Sequence, residues 1–300
     1  MSAKAKNVIA MIIFGTIPVF IRNIEMSSLE TAFWRGLIAI SILLFIYKII
    51  LRRKSSIMSI KDKLLLMITG MGIGLNWVLL FMAYDYTSVA AATLANYFAP
   101  VIVMIICPLL FKEKARIFQY ICFFMATFGL ILVISGGGME NSGNIKGIVC
   151  GLLAACFYAA AVLMNKFIKV GNDLERTIWQ FFGAVLILSI MMIGKGELQI
   201  SEISLFGLGN LLILGIVHTG ICYLLYFSSI RDLKGAETAI LSYIDPLMAI
   251  LISVFYYKEQ IFPLQWAGAI FILGFTCLYE LFQSKKALHL DEQKKGSYDT

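Results

Sequence analysis

Polar residues in this chain are confined to short breaks between long apolar runs. Ten such runs can be marked, roughly 7–22, 30–49, 63–84, 89–111, 117–135, 146–166, 175–193, 205–229, 235–257 and 263–282. An α-helix needs about 20 apolar residues to cross the hydrocarbon core of a bilayer. The pattern therefore predicts an all-α membrane protein with ten transmembrane helices.

One run occurs twice. Shifted by 146 positions, Thr93 to Lys114 (TLANYFAPVIVMIICPLLFKEK) falls on Ala239 to Gln260 (AILSYIDPLMAILISVFYYKEQ). Tyr97 meets Tyr243, Pro100 meets Pro246, Ile106 meets Ile252, Lys112 meets Lys258, Glu113 meets Glu259 and, a little further on, Gln119 meets Gln265. A repeat dictates architecture before any local detail does. The Gly-rich polar stretch Ser135 to Asn144 is the seam, with five runs on either side. It divides the chain into a first repeat, 1–140, and a second, 141–284. The polar residues 285–300 are expected to form a disordered cytoplasmic tail, since they cannot bury apolar surface.

Charge turns this into a topology. With the N-terminus placed inside and the runs alternating, nearly all of the 25 lysines and arginines fall on the inner side. Arg22, Lys146, Lys195 and Lys258 fall outside, and Arg35 lies within a run. This positive-inside bias predicts a cell (plasma or inner) membrane protein with both termini cytoplasmic. It also gives the net charge of +7 a topological meaning, so no nucleic-acid partner is implied. Five spans per repeat is an odd number, so the second repeat enters the membrane in the opposite sense. Two inverted five-helix repeats are characteristic of secondary transporters, with the binding site near the midplane between them.

Composition changes the picture little: 60% of residues are hydrophobic and 14% charged, against about 25% charged in soluble domains. The six cysteines all lie in apolar runs without a CxxC pair, which suggests neither a disulfide framework nor a metal site.

Three features resemble the drug/metabolite transporter superfamily, EamA type, over about residues 7–283. They are the ten spans in two halves, the Pro…Lys/Glu endings of the fourth and ninth runs, and Trp34-Arg35 opening the second run (FWRGLIAISILL). The seventh run departs from that pattern, with Trp179-Gln180 in the equivalent place. The resemblance implies export of amino acids, metabolites or toxic compounds in exchange for protons. It carries no substrate information.

The candidate site residues follow from polarity at depth. Thr93, Asn96, Tyr97 and Pro100 are spaced as one helical face, and Ala239, Ser242, Tyr243 and Pro246 repeat it. A polar stripe cannot face lipid, so it either walls a central cavity or bridges neighbouring helices. Pro100 and Pro246 remove a backbone hydrogen bond each and are candidate hinges or static kinks. Gly70 and Gly74 read as a helix-packing pair rather than a phosphate loop. Asn76 and Trp77, one turn on, are candidate substrate contacts, and a shift of 145 pairs them with Ile221 and Cys222. His218 stacks with Cys222 and Tyr226, too few ligands for a metal; it packs, relays protons or touches substrate. Glu113 and Glu259 end their helices.

Arg35 and Asp245 lie inside spans, where a charge costs about 2.5–3.5 kcal/mol at the centre. They are the coupling candidates. Asp245 is matched by Ala99 in the other repeat, so the fold itself does not call for an acid there.

The expected function is a secondary transporter exporting a small metabolite, an amino acid or a related amphiphilic compound, by alternating access. No cofactor is expected, and one chain can suffice as a monomer in the lipid bilayer. The alternatives are uptake of an organic cation or nutrient, with Asp245 as counter-ion, and a membrane-embedded enzyme. The enzyme is disfavoured by the lack of an HExxH, a paired-Asp motif or a nucleophile–base set. The topology is directly testable: in a cysteine-free background, Glu113→Cys and Glu259→Cys should react with impermeant thiol reagents from opposite sides. Labelling of both from one side would refute the inverted arrangement.

Overall fold

A computed structural model describes all residues except 22, 51–57, 88–91, 93–94, 113–116, 137–144, 169, 197–201, 257, 259–261 and 297–300. Thr93, Glu113 and Glu259 thus lie outside the described residues. The described residues form helices and connections without strand. In order these are α1 (Ala3–Gly15), α2 (Ile17–Ile21), α3 (Ser28–Ile50), α4 (Ile60–Tyr86), α5 (Phe98–Phe111), α6 (Ile117–Gly136) and α7 (Ile145–Phe167). Then come α8 (Asp173–Lys195), α9 (Leu205–Ile213), a π-helix π1 (Leu214–Ile221), α10 (Cys222–Ile230), α11 (Gly235–Leu241), α12 (Ile244–Phe255) and α13 (Pro263–Gly296).

Six stretches are long and apolar enough to cross a membrane: Ala3–Ile21, Ser28–Ile49, Ile60–Leu80, Ile145–Phe167, Asp173–Lys195 and Leu205–Ile230. Phe98–Phe111, Ile117–Leu132 and Trp266–Tyr279 are shorter apolar helices. The helix α13 runs on to Gly296, through most of the polar stretch expected to be an unstructured tail.

Side-chain caps fix where several helices begin. Ser27 and Glu30 cap α3 reciprocally, Glu30 Oε2 accepting from the Ser27 amide at 2.9 Å and Ser27 Oγ from the Glu30 amide at 3.2 Å. Asn172 Oδ1 accepts from the Glu175 amide at 2.8 Å and starts α8, and Ser204 Oγ accepts from the Gly207 amide at 3.0 Å and starts α9. The repeat also shows in the backbone. Lys112 and Lys258, paired by the 146-residue shift, both have φ near +55°, at 52° and 56°. The left-handed region is uncommon for a residue with a Cβ, and here it ends α5 and follows α12 at the same point of each copy.

Packing is mostly between the halves rather than within them. α4 lies along α7 and α8, and α6 along α13. α3 lies along α8 and π1, α1 along α10 and α12, and α5 along α7 and α11. Exchanging the two halves converts the α4–α7 contact into the α1–α10 contact, and the α4–α8 contact into the α3–π1 contact.

Small residues make these crossings close. A methyl added at Gly70 would collide with the Gln180 carbonyl oxygen, and one at Gly183 with that of Met67. One at Gly74 would come within 3.0 Å of the Ala184 oxygen. The other half repeats the arrangement: Gly215 faces the Arg35 oxygen and Gly220 faces Ala39. The packing role expected for Gly70 and Gly74 is thus what the structure gives them.

These contacts set the register between the repeats. Gly70/Gly215 and Gln180/Arg35 are related by a shift of 145, but Gly74/Gly220 are related by 146. The extra residue lies in π1, whose wider turns absorb it. This corrects one sequence pairing: beyond π1, Asn76 corresponds to Cys222 and Trp77 to Tyr223, not to Ile221 and Cys222.

The twin prolines interrupt their helices instead of bending them. Pro100 cannot donate to Asn96, nor Pro246 to Ser242, and the chain turns at Tyr97 and at Ser242–Tyr243. The Leu247 amide reaches the Tyr243 carbonyl only at 3.4 Å. The two stripes are therefore not continuous helical faces.

Gly70→Ala and Gly183→Ala should each cost at least about 1–3 kcal/mol through overpacking and lower the thermal unfolding midpoint of the purified protein. Gly194→Ala, with nothing within 4 Å of the added methyl, should not lower it. Equal midpoints for all three would refute the close α4–α8 crossing.

Candidate substrate site

The polar residues of α4 reach partners in other helices. Asn76 Nδ2 donates to Asn96 Oδ1 and to the Ala154 carbonyl, both at 2.9 Å. Trp77 Nε1 donates to the Tyr223 hydroxyl at 3.1 Å. Trp77 and Tyr223 are equivalent positions of the two repeats, so this bond joins the halves at corresponding points.

Aromatic rings surround it. Tyr223 packs edge-on against Trp77 (5.9 Å between centroids), Phe14 (4.9 Å) and Phe181 (5.5 Å). Tyr158 stacks on Tyr226 at 6.3 Å, and their hydroxyls are hydrogen-bonded. Arg35 completes the group: its Cζ lies 3.8 Å from the centre of the Trp77 ring.

Asp245 opens α12 directly after the second break. Its carboxylate hydrogen-bonds the Tyr97 hydroxyl, so the two repeated segments meet at their interruptions through one polar contact. Tyr158, Cys222 and Tyr223 lie within electrostatic reach of Asp245. Asn96, Tyr97, Tyr158 and Asp245 keep accessible surface, whereas Trp77, Tyr223 and Tyr226 are buried. The resulting arrangement has an acid and a tyrosine at one end, an arginine at the other and aromatic faces between. It is suited to a small molecule with both polar and apolar parts.

The other expected residues lie elsewhere. Tyr243 is fully buried among Phe123 and its neighbours, with its hydroxyl 2.5 Å from Thr127 Oγ1. Ser242 Oγ donates to the Ala239 carbonyl of its own turn at 2.7 Å. The break before Pro246 turns Tyr243 toward α6, while the break before Pro100 leaves Tyr97 toward Asp245. Pro100 and Pro246 are both buried.

His218 sits in π1, buried, with Nε2 2.7 Å from Thr16 Oγ1 and its ring 4.7 Å from that of Phe20. Thr16 is the turn that separates α1 from α2. His218 thus contacts the interrupted first helix and stands near Arg35. Among the described residues no group of His, Cys, Asp and Glu could hold a metal.

Sequence reasoning did not single out Tyr158 and Tyr223. The signal for Tyr223 was its equivalence to Trp77, hidden by the change of shift at π1. Tyr158 had none, because an aromatic in an apolar helix is unremarkable by pattern. A second buried polar group also escaped the pattern. Arg176 Nη2 donates to the Asn165 carbonyl at 2.8 Å, Gln180 Nε2 to Asn165 Oδ1 at 2.6 Å and Lys166 Nζ to the Leu233 carbonyl at 2.5 Å. Lys166 and Arg176, which the charge pattern counts on the inner side of the membrane, here tie α7 and α8 to each other and to the segment before α11.

Comparison with known proteins gives one consistent match. The profile of the EamA-like transporter family matches residues 7–135 and again 145–280. The chain is 30% identical over 257 residues to "Uncharacterized transporter YxxF" of Bacillus subtilis, covering 84% of this chain and 80% of that protein. It is 25% identical to an "Uncharacterized transporter" of Archaeoglobus fulgidus over 90% of this chain and 93% of the other. It is also 24% identical to "Protein PecM" of Dickeya dadantii, over 76% and 78%. A crystal structure at 16% identity superposes with a TM-score of 0.80, covering 93% of this chain and 98% of that one, which is a likeness of fold.

The divergent fates of the twin tyrosines can be separated. Tyr97→Phe removes a hydrogen bond to a carboxylate, a contact worth roughly 1.5–3 kcal/mol, and should cut transport per folded molecule by about tenfold or more. Tyr243→Phe should instead lower the unfolding temperature and leave transport per folded molecule near that of the parent. Transport of the metabolite whose distribution between cells and medium changes on overexpression, with thermal unfolding in parallel, reads both. The reverse pattern would move the site toward Tyr243.

Proposed function

Since the chain belongs to the EamA-like transporter family, we propose that it exports a small metabolite, an amino acid or a related amphiphilic compound, across the cell membrane by alternating access. In this reading ten spans form two inverted five-helix repeats, 1–140 and 141–284, with both termini cytoplasmic, and a single chain carries the whole pathway. Substrate contacts come from Asn76, Trp77, Asn96 and Tyr97, with His218, Ser242 and Tyr243 supporting the moving segments. The interruptions beside Pro100 and Pro246 are the points at which those segments bend.

The observation that carries the proposal is the Tyr97–Asp245 contact. It links the two repeats at their helix breaks and involves an acid that the other repeat replaces with Ala99. Backbone groups left free at such breaks are acceptable within a membrane only where they face protein or a water-filled cavity. A carboxylate at that place can bind a proton in one state and release it in the other, while losing and regaining its tyrosine partner. Arg35, buried against the Trp77 ring at the other end of the group, is the second coupling candidate. Uptake of an organic cation is the second reading, favoured by the same carboxylate among aromatic rings, where a positively charged substrate would replace the proton.

Comparing metabolites in medium and cells with and without overexpression identifies the substrate and the direction of transport. With that substrate in reconstituted vesicles, Asp245→Asn should abolish flux driven by a pH gradient while keeping exchange at equal pH. Loss of substrate binding as well would select the cation reading. Full gradient-driven flux in the variant would end the role of Asp245 in coupling.

A further inference from the structure

Among the described residues Arg35 has no partner to match its charge. The residue is 6% exposed, its Nε makes no hydrogen bond, and among the described residues no carboxylate pairs with it. The acid of the site, Asp245, bonds to Tyr97 instead. What Arg35 does have is a flat aromatic support, the Trp77 ring 3.8 Å from its Cζ, held by the Trp77–Tyr223 hydrogen bond at 3.1 Å. A guanidinium does not give up its proton in a protein, so the charge is permanent, and leaving a buried charge unpaired is strongly unfavourable. The cation–π contact relieves part of this and holds the group in one plane. A fork of N–H donors so placed matches the two oxygens of a carboxylate.

The other repeat supplies the contrast. Gln180 occupies the place equivalent to Arg35 and donates to Asn165 Oδ1 at 2.6 Å. A neutral amide at this level of the fold therefore finds a protein acceptor, whereas among the described residues the cation does not. Packing does not call for a cation there.

We propose that Arg35 is an anion-binding subsite that receives the carboxylate of the transported molecule. The proposal rests on the transporter reading above and adds to it the chemical group the substrate must carry. Molecules bearing a carboxylate beside an apolar or aromatic body are accepted; their amides and esters are discriminated against. Small inorganic anions such as chloride share the chemistry and are the competing source.

The test is binding to the purified, detergent-solubilised full chain, read as a saturable rise in unfolding temperature. The probes are matched pairs of a carboxylic acid and its primary amide, aliphatic from two to ten carbons and aromatic from benzoate to indole-3-acetate, in chloride-free buffer. At least one acid should bind tenfold or more tightly than its amide. In Arg35→Gln that preference should vanish, and Arg35→Lys should retain part of it.

Equal binding of acid and amide throughout the series overturns the proposal, as does a preference that survives in Arg35→Gln. Should the Gln variant fail to fold, the acid–amide comparison in the parent and the graded loss in Arg35→Lys decide alone. Chloride is titrated separately: if it stabilises as strongly as the best acid and removes the acid preference, the site belongs to an inorganic ion and the substrate assignment falls. No gradient or membrane enters this measurement. A failure of proton-driven export would leave its result standing, and a failure here would leave the Asp245 flux experiment standing.

Discussion

The fold depends on two helices from opposite halves lying backbone against backbone. Gly70 and Gly74 of α4 sit on the carbonyls of Gln180 and Ala184 in α8, while Gly183 of α8 sits on that of Met67. In a bilayer apolar contact does not by itself drive helices together, because lipid tails are as apolar as leucine. Close packing and internal hydrogen bonds have to supply the association. The crossing brings the middle of α4 close enough to the second half for Asn76 to reach the Ala154 carbonyl and for Trp77 to reach Tyr223. Without it Asn76 and Trp77 would lose their acceptors in the second half, and the aromatic group around Tyr223 would lose one wall.

The site is asymmetric although the scaffold is not. Polar groups at equivalent positions of the two repeats have different partners. Gln180 is bonded where Arg35 is open, and Ser242 bonds its own turn where Asn96 bonds Asn76. Tyr243 is fixed to Thr127 where Tyr97 reaches Asp245. The chemistry thus gathers on a few members of these pairs, leaving their partners as structural supports.

Much of the architecture was legible in the sequence. The repeat announced itself through Tyr97/Tyr243, Pro100/Pro246 and Lys112/Lys258, and the lysines proved equivalent even in backbone conformation. Gly70 and Gly74 predicted close packing because spacing alone places them on one face. The aims of Tyr97 and Tyr243 were not legible. Identical residues four apart from a preceding polar residue describe a stripe only while the helix continues, and the turns beside the prolines end it. The pairing of Trp77 with Tyr223 was hidden for a related reason, since a fixed shift assumes equal residues per turn in both repeats. Nor does sequence say which buried charge finds a partner: among the described residues Arg176 and Lys166 do, at backbone carbonyls, and Arg35 does not.

The π-helix has a consequence for how two such halves can diverge after a gene is duplicated. One codon inserted into an ordinary α-helix rotates everything downstream by about 100°, and every packed side chain beyond it faces the wrong neighbour. Between Gly215 and Gly220 the extra residue is instead taken up within two turns, so both glycines keep the contacts of their counterparts Gly70 and Gly74. The extra residue also gives the second repeat a place with no equivalent in the first, and His218 stands there against Thr16. A duplicated transporter can in this way gain a new side chain on one side of its pathway without re-registering a single helix crossing.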